Sequence, residues 1–361
     1  MTKVRVGVLF GGQNSEHGVS CDSTAGVLTY LDRERFEPVP IRIAEDGTWR
    51  VARTGDLPPE LDAAGLVALT SGETGTRAET MASAIAALGS VDVVFPVFHG
   101  SFGEDGTVAG LLDLLGVPYV GCGALAGAVA MDKEFTKTVL RADGFPVADG
   151  VVLRSAGATL TELDRKQLGL PVFVKPNSGG SSIGITRVDD WAQLDAAVAS
   201  AFRMDTKVLV EPAIAGRELG IPVLEFPDGR VEVGPPAETV WESSRHQFAS
   251  FDAKYRDRTT RKRIPAAVDP EIGTTLAEMA VRAFRLLGCA GLIRADFFVH
   301  EEGRTTSIVL NEVNTFPGFT ATSWFPASWA SAGLSYAQLL DVLVDTAVAQ
   351  GVRSRTALAA R

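Results

Sequence analysis

The stretch Ile308-Val-Leu-Asn-Glu-Val-Asn-Thr-Phe-Pro-Gly-Phe-Thr320 decides how the rest of the chain reads. A β-type apolar run delivers Asn311, Glu312 and Asn314 to its end, and the alternation of a strand places Glu312 and Asn314 on one face. The chain then breaks at Pro317-Gly318. Carboxylate and amide oxygens at i and i+2 suit a hard cation of the kind held beside phosphates. A plain strand-end turn accounts for Asn, Pro and Gly equally well, because these are ordinary turn residues. Taken alone, the stretch leaves both readings open.

Its upstream neighbour, Leu292-Ile-Arg294-Ala-Asp296-Phe-Phe-Val299, reads as a second strand with Arg294 and Asp296 on one face. Joined through the turn Glu301-Glu-Gly-Arg-Thr305, the two runs form a hairpin that gathers Arg294, Asp296, Glu312 and Asn314 on one side of a sheet. Before them, Asp269-Pro270 opens a helix with proline at its first position. Its apolar stripe is Ile272, Leu276, Met279, Ala283 and Leu287, and Gly288 ends it. After the opening stretch, Tyr336, Leu339, Leu340, Leu343 and Ala347 mark a final core helix.

Further upstream, Val172-Phe-Val-Lys175-Pro-Asn-Ser-Gly179-Gly180-Ser181-Ser182-Ile-Gly184-Ile185 reads as strand, small-residue loop, strand. Glycine-exposed N–H groups, hydroxyls and an adjacent ammonium form a phosphate cradle. No G-K-[ST] opens a helix, so this is a hairpin lid rather than a Walker loop, and a functionless Gly/Ser hairpin stays open. Val208-Leu-Val-Glu211-Pro-Ala-Ile214 is a strand ending in an acid, and Glu218 follows in the next. Both acids are surface residues by default, or acceptors for an adenine amine and a ribose. From 242 to 263 the pattern dissolves into a long segment holding Lys254, Tyr255, Arg256, Arg258, Arg261, Lys262 and Arg263. A loop of that length is usually a lid or a binding loop, and its charge suits an anionic ligand or simply water.

The N-terminal third opens on an apolar strand at 4–10, a Gly11-Gly12 turn, and a helical pattern at 19–31. The glycine spacing is not G-x-G-x-x-G. Glu16 reads as an acid satisfying a helix N-terminus. Residues 45–79 carry little legible chemistry; a helix at 82–88 and a buried strand at 91–98 follow. That strand ends in His99-Gly100-Ser-Phe-Gly-Glu104-Asp105-Gly106, with a helix at 107–115 beginning under the two acids. A His at a strand end lies where ligands bind in α/β sheets, although a lone His is commonly structural.

At 361 residues the chain accommodates two or three domains. Its 46% hydrophobic and 22% charged residues, with no apolar run near the ~18 that span a bilayer, predict a soluble protein with no membrane role. Neither a basic leader nor a cleavage site precedes the first strand, and Cys21, Cys122 and Cys289 show no C-x-x-C pair, so a reducing cytoplasm is expected rather than a disulfide framework or zinc site. A formal net charge of -10 argues against nucleic-acid binding.

In order, GGQNSEH, HGSFGEDGT, MDK, VKPNSGGSSIG, VEPAI, AKY, RADFF and NEVNTFPGFTATS resemble the D-alanine:D-alanine ligases of the ATP-grasp superfamily nearly from end to end. The resemblance implies an α/β chain with an ATP-grasp fold and a Rossmann-like N-terminal domain, ATP lying between two antiparallel sheets. The implied divisions are an N-terminal domain at 1–130, a central subdomain at 131–225, and a C-terminal subdomain at 226–361 with an omega-type lid near 242–265. The implied activity is ATP-dependent ligation of two D-alanine molecules through an acyl phosphate, giving ADP and phosphate for peptidoglycan precursors. Such phosphoryl transfer needs positioning and charge neutralisation more than acid/base groups, which agrees with the lack of a nucleophile triad.

By the same resemblance, Asp296, Glu312 and Asn314 would ligate two magnesium or manganese ions. Lys133, Lys175, Ser182 and Lys254 would contact the ATP phosphates, with Glu211, Ile214 and Glu218 around adenine and ribose. Arg294 and the Gly318 N–H would hold the oxyanion, a role that often dominates acyl-transfer catalysis. Ser323 with Arg294 would take the second substrate's carboxylate. Glu16 would bind the first D-alanine's ammonium within a Glu16, Ser181, Tyr255 triad, with His99 near that substrate's carboxylate. A homodimer is implied as well. Trp324 follows Ser323 and departs from the family's usual pattern, as does Gly18 where Glu is common. The alternative within the class joins D-alanine to D-serine, D-lactate or another D-amino acid, in antibiotic resistance or biosynthesis; Tyr255 argues against the D-lactate form. A non-catalytic nucleotide-binding protein would be expected to lose Arg294, Glu312 or Asn314, and all three are present.

Overall fold

The computed structural model describes residues 2–52, 57, 58, 60–71, 75–180, 183–241, 260–303 and 305–359. The first sheet consists of β1 (Val4–Gly11), β2 (Phe36–Ile43), β3 (Trp49–Val51) and β4 (Val93–Val97), in the order β3-β2-β1-β4. β1 runs parallel to β2 and β4, and β3 closes one edge antiparallel to β2. A parallel strand covered on both faces reads as a continuous apolar run, and β1 behaves so. Val6, Val8 and Phe10 pack with helix His17–Tyr30, while Leu9 packs with helices Arg77–Leu88 and Thr107–Leu115.

Residues 45–79, in which the sequence shows little legible chemistry, supply β3 and helix Ala63–Leu69, and from residue 77 the helix Arg77–Leu88. That helix starts five residues ahead of the expected 82 because Thr76 and Glu79 form a reciprocal capping box. The T-x-x-E spacing of Thr76 and Glu79 is the local signal for that start.

A second sheet holds β5 (Val151–Leu153), β6 (Val172–Pro176), β7 (Thr186–Val188) and β8 (Val208–Pro212), antiparallel throughout in the order β5-β8-β6-β7. β6 pairs with β7 from Val172↔Val188 onward, so the expected hairpin encloses the small-residue loop. The third sheet contains β9 (Arg217–Glu225), β10 (Val231–Val233), β11 (Ala237–Trp241), β12 (Thr260–Arg263), β13 (Leu292–Glu302) and β14 (Thr305–Asn314). It runs β12-β11-β9-β13-β14 with β10 on β9. The cationic run expected to remain loop through 263 ends as β12, with Lys262 opposite Thr239 and Arg263 opposite Glu238.

Helix Pro270–Leu286, capped by Asp269 with Pro270 in its first turn, packs Leu276, Ala280, Ala283 and Phe284 under β9 and β13. The chain finally returns to its beginning. Phe316, Phe319, Phe325, Trp329 and six residues of helix Tyr336–Ala359 share one core with Val6, Val8 and Phe10 of β1. Phe319 is fully buried, with ring centroids 5.8 Å from Phe95 and 5.4 Å from Phe316. The Tyr336 hydroxyl donates to the Phe319 carbonyl at 2.7 Å. The segment after β14 is therefore clamped against the first sheet, where β1 and β4 end. No helix among the described residues is long and apolar enough to cross a membrane.

Candidate active site

The β13–β14 hairpin sets Arg294 opposite Asn314 and Asp296 opposite Glu312. Asp296, 1% exposed, accepts from Arg294 Nε and Nη2, both at 2.6 Å, and from Asn314 Nδ2 at 2.9 Å. Burial alone would lower the Arg294 pKa; the Asp296 carboxylate, followed by Glu312 and Glu218, outweighs it and holds the guanidinium charged. The guanidinium also lies over the Trp324 ring, 5.3 Å from its centroid. Arg294 is thus held on one side by a carboxylate and on another by an aromatic face, a geometry that suits arginine's planar cation.

Position alone makes Glu16 a surface acid at a helix start, while the family resemblance places it in the first substrate's site. It is 5% exposed and makes no capping bond with helix His17–Tyr30. Asn14 orients this segment: its Oδ1 accepts from the Glu16 N–H, and its Nδ2 donates to the carbonyls of His99 and Ser101. Glycines at 100 and 180 leave room for the carboxylate. A Cβ at Gly100 would fall 2.3 Å from Glu16 Oε2, and one at Gly180 would fall 3.2 Å away. Gly180 directly precedes Ser181 in the small-residue loop, so the Glu16 carboxylate reaches the edge of that loop. His99 is buried, with Nε2 3.0 Å from Ser23 Oγ, and burial lowers its pKa to about 4. It is a neutral hydrogen-bonding ring at physiological pH.

Glu104 was read as an acid under a helix start, and that is corrected. Asp105 caps the turn by accepting from Phe102 and Thr107. Glu104 accepts from Gly100 N at 2.6 Å and from Phe316 N at 3.2 Å, joining the β4 loop to the segment that carries Gly318. Burial first, and then the Glu16 carboxylate, push its pKa up to about 8.

Two clefts converge here. One, of about 990 Å³, is lined by Glu16, His99, Glu104, Lys262, Arg294, Gly318, Ser323 and Trp324 among others. Ser323 Oγ lies 2.8 Å from Thr320 Oγ1 and accepts from Thr320 N at 3.1 Å. Lys262, which the sequence showed only as part of a charge run, donates to the Thr322 carbonyl beside it. The other cleft, of about 1400 Å³, lies between the second and third sheets. Phe173 and Phe298 line it, with Lys133, Lys175, Glu211, Ile214 and Glu218. Lys133 Nζ donates to the Gly179 carbonyl at 2.6 Å.

Glu211 is clasped by Lys137 and Lys175. Burial opposes its ionisation, and Lys175 and then Lys137 overcome that and lower its pKa. Lys137, one helical turn after Lys133, is a site residue that sequence reading passed over; the i, i+4 spacing was its signal. Glu312, Gly180, Glu218 and Thr239 line both clefts.

The expected cation ligands do come together. Asp296, Glu312 and the Asn314 amide are oxygen donors suited to a hard cation. Asp296 Oδ1 accepts only Arg294 Nε among the bonds above, leaving a lone pair for a metal. Among the described residues no three His, Cys, Asp or Glu side chains converge on a metal position, so a cation here rests on two carboxylates and one amide. Ser181, Ser182, Lys254 and Tyr255 lie outside the described residues.

A family model described as "D-ala D-ala ligase N-terminus" matches residues 5–122, and "D-ala D-ala ligase C-terminus" matches 139–345. The D-alanine–D-alanine ligase of Nocardia farcinica is 50% identical over 364 residues, covering 98% of this chain and 99% of that protein. That of Rhodococcus erythropolis is 48% identical over 369 residues, with 98% and 99% covered. Among solved structures, the D-alanine-D-alanine ligase from Coxiella burnetii superposes with a TM-score of 0.80 at 29% identity, covering 99% of this chain and 97% of that one. The VanG D-Ala:D-Ser ligase from Enterococcus faecalis gives 0.76 at 32%, covering 96% and 100%. A Bacillus anthracis D-alanine–D-alanine ligase complexed with ATP gives 0.74 at 26%, covering 97% and 99%. With both family models matched and half of its residues shared with a relative along almost its whole length, the chain belongs to the D-alanine–D-alanine ligase family.

Proposed function

We propose that this protein joins two D-alanine molecules at the expense of ATP, supplying a dipeptide for peptidoglycan precursors. The observation that carries the reading is the meeting of the two clefts at Glu312, Gly180 and Glu218. A nucleotide in the inter-sheet cleft would point its terminal phosphate into the cleft that holds Glu16 and Arg294. There the first D-alanine carboxylate attacks the γ-phosphorus and ADP leaves. The second D-alanine amine attacks the resulting acyl phosphate, phosphate leaves, and the amine's proton passes to solvent.

Glu16 holds the first substrate's ammonium and neutral His99 lies by its carboxylate. Lys133 and Lys175 face the phosphates, and Glu211, Ile214 and Glu218 surround the nucleoside. Ser181, Ser182, Lys254 and Tyr255 would complete the site from the two lids. Arg294 and the Gly318 N–H offer donors to the oxyanion, held in place before the reaction so that no reorganisation is needed during it. Ser323 and Arg294 take the second carboxylate. Asp296, Glu312 and Asn314 would hold magnesium or manganese, which neutralises charge between the phosphates. By the family resemblance of its motifs, the protein would act as a homodimer in the cytoplasm.

The test is ADP release with D-alanine alone, then with D-alanine plus D-serine or D-lactate. Expected are equal amounts of ADP and D-alanyl-D-alanine from D-alanine alone. Glu312→Ala should abolish phosphate release without altering the circular dichroism of the fold. No ADP from D-alanine would overturn the reading, and unchanged turnover in the variant would sink the role of Glu312.

A further inference from the structure

Two cysteines that are far apart in the sequence meet in the fold. The turns around Gly121 and Gly291 are in backbone contact: a Cβ built on Gly291 would lie 3.1 Å from the Gly121 nitrogen. Both glycines adopt positive φ, 98° and 67°, which lets the chains approach. Across this contact Cys122 Sγ donates to the Ala290 and Leu292 carbonyls, at 3.5 and 3.7 Å. Ala290 directly follows Cys289, and both cysteines pack against the same apolar core. Both cysteines are free and half-buried, whereas Cys21 is 2% exposed.

None of the chemistry assigned above uses this pair. A metal is poorly served by it, since among the described residues no third His, Cys, Asp or Glu converges there. Two adjacent thiols with solvent access suit a different reaction, which is exchange with a small disulfide.

We propose that Cys122 and Cys289 form a reversible disulfide on exposure to a small-molecule disulfide, tying the N-terminal part of the chain to the root of β13. Cys122 loses its proton to solvent and its sulfur attacks one sulfur of the oxidant RSSR. The oxidant's S–S bond breaks, and RS⁻ departs and is protonated. Cys289 then gives up its proton and attacks the Cys122 sulfur of the mixed disulfide, releasing the second RS⁻. The sum is two protein thiols oxidised to one disulfide and RSSR reduced to two RSH.

The order of attack follows from the contact. The nearness of Cys122 first, then burial, raise the Cys289 pKa. Cys289 therefore stays protonated while Cys122 reacts, a division of labour common to paired thiols. The cross-link would join the segments matched by the two family models, residues 5–122 and 139–345. Closing so long a loop restricts the unfolded chain. The inference does not depend on which substrate the ligase takes.

The full chain is treated with oxidised glutathione, then examined by thiol titration, intact mass, non-reducing peptide mapping and thermal melting. Expected is a fall from three free thiols to one, a mass lower by two hydrogens with no retained glutathione, and a linked peptide pair containing Cys122 and Cys289. The melting temperature should rise by roughly 5 °C and return on reduction. Cys289→Ser should trap glutathione on Cys122, and Cys122→Ser should leave Cys289 reduced. Alanine at each position provides a second folded pair if a serine variant melts early. Three thiols remaining, glutathione retained on the wild type, or a cross-link running between chains would overturn the proposal.

Discussion

Glu104 has the side chain whose chemistry depends most on what the fold places around it. Its unfolded value is near 4.5 and its folded value about 8. Between those limits the native chain holds a proton that the unfolded chain has lost, so stability falls as pH rises through this window. His99 acts with the opposite sign. Burial takes it from 6.5 to about 4, so its contribution is lost as pH falls through that range. The two oppose each other where the windows overlap, and only Glu104 titrates above about pH 7. Glu104→Gln is therefore expected to remove an alkaline decline on the order of 2 kcal/mol between about pH 6 and about pH 8, leaving the acid-side loss intact. Urea unfolding of wild type and variant across that range checks this; parallel curves would mean that Glu104 is ionised in the native protein.

Among the elements, β9 carries a constraint that no alternation pattern reveals. Gly220 faces Asp296 in register, and a Cβ there would fall 2.6 Å from Trp324 Cε3 and 3.0 Å from Arg294 Cδ. Gly220→Ala is expected to displace Trp324 and tilt Arg294 away from its proposed oxyanion position. Activity should drop by at least an order of magnitude, with a stability cost of about 1–3 kcal/mol from overpacking. Steady-state kinetics beside a melting curve would separate the two, and unchanged kcat/KM would show that Trp324 does not position Arg294. The β13–β14 hairpin was legible because both strands are apolar, alternate cleanly and flank a short turn. β12 was not, because Thr260 to Arg263 is polar and cationic, and its partner β11 lies across residues 242–259.

For the molecule as a whole, the segment after β14 is a seam between the first sheet and the last helix. Phe319 packs against Phe95 of β4 and Tyr336 of the C-terminal helix. Phe319→Ala is expected to cost about 3–5 kcal/mol and to loosen the adjacent Gly318, whose N–H is the proposed oxyanion donor. Chemical denaturation should show a lower midpoint with the slope retained. A loss below about 1 kcal/mol would mean that the seam lies outside the cooperative core. The sequence by itself determined the hairpin with Arg294, Asp296, Glu312 and Asn314 and the order of the motifs, because strand alternation, turn residues and helix starts are local and periodic; a nucleotide between two sheets was implied by the family resemblance of those motifs. The tertiary structure alone decided that Glu16 is buried, that Glu104 bridges two loops with a raised pKa, that Lys137 clasps Glu211 while Lys262 lines a cleft, that Trp324 backs Arg294, and that Cys122 meets the segment of Cys289. Those properties arise from burial and from charges brought close by chain segments distant in sequence, which no local pattern encodes.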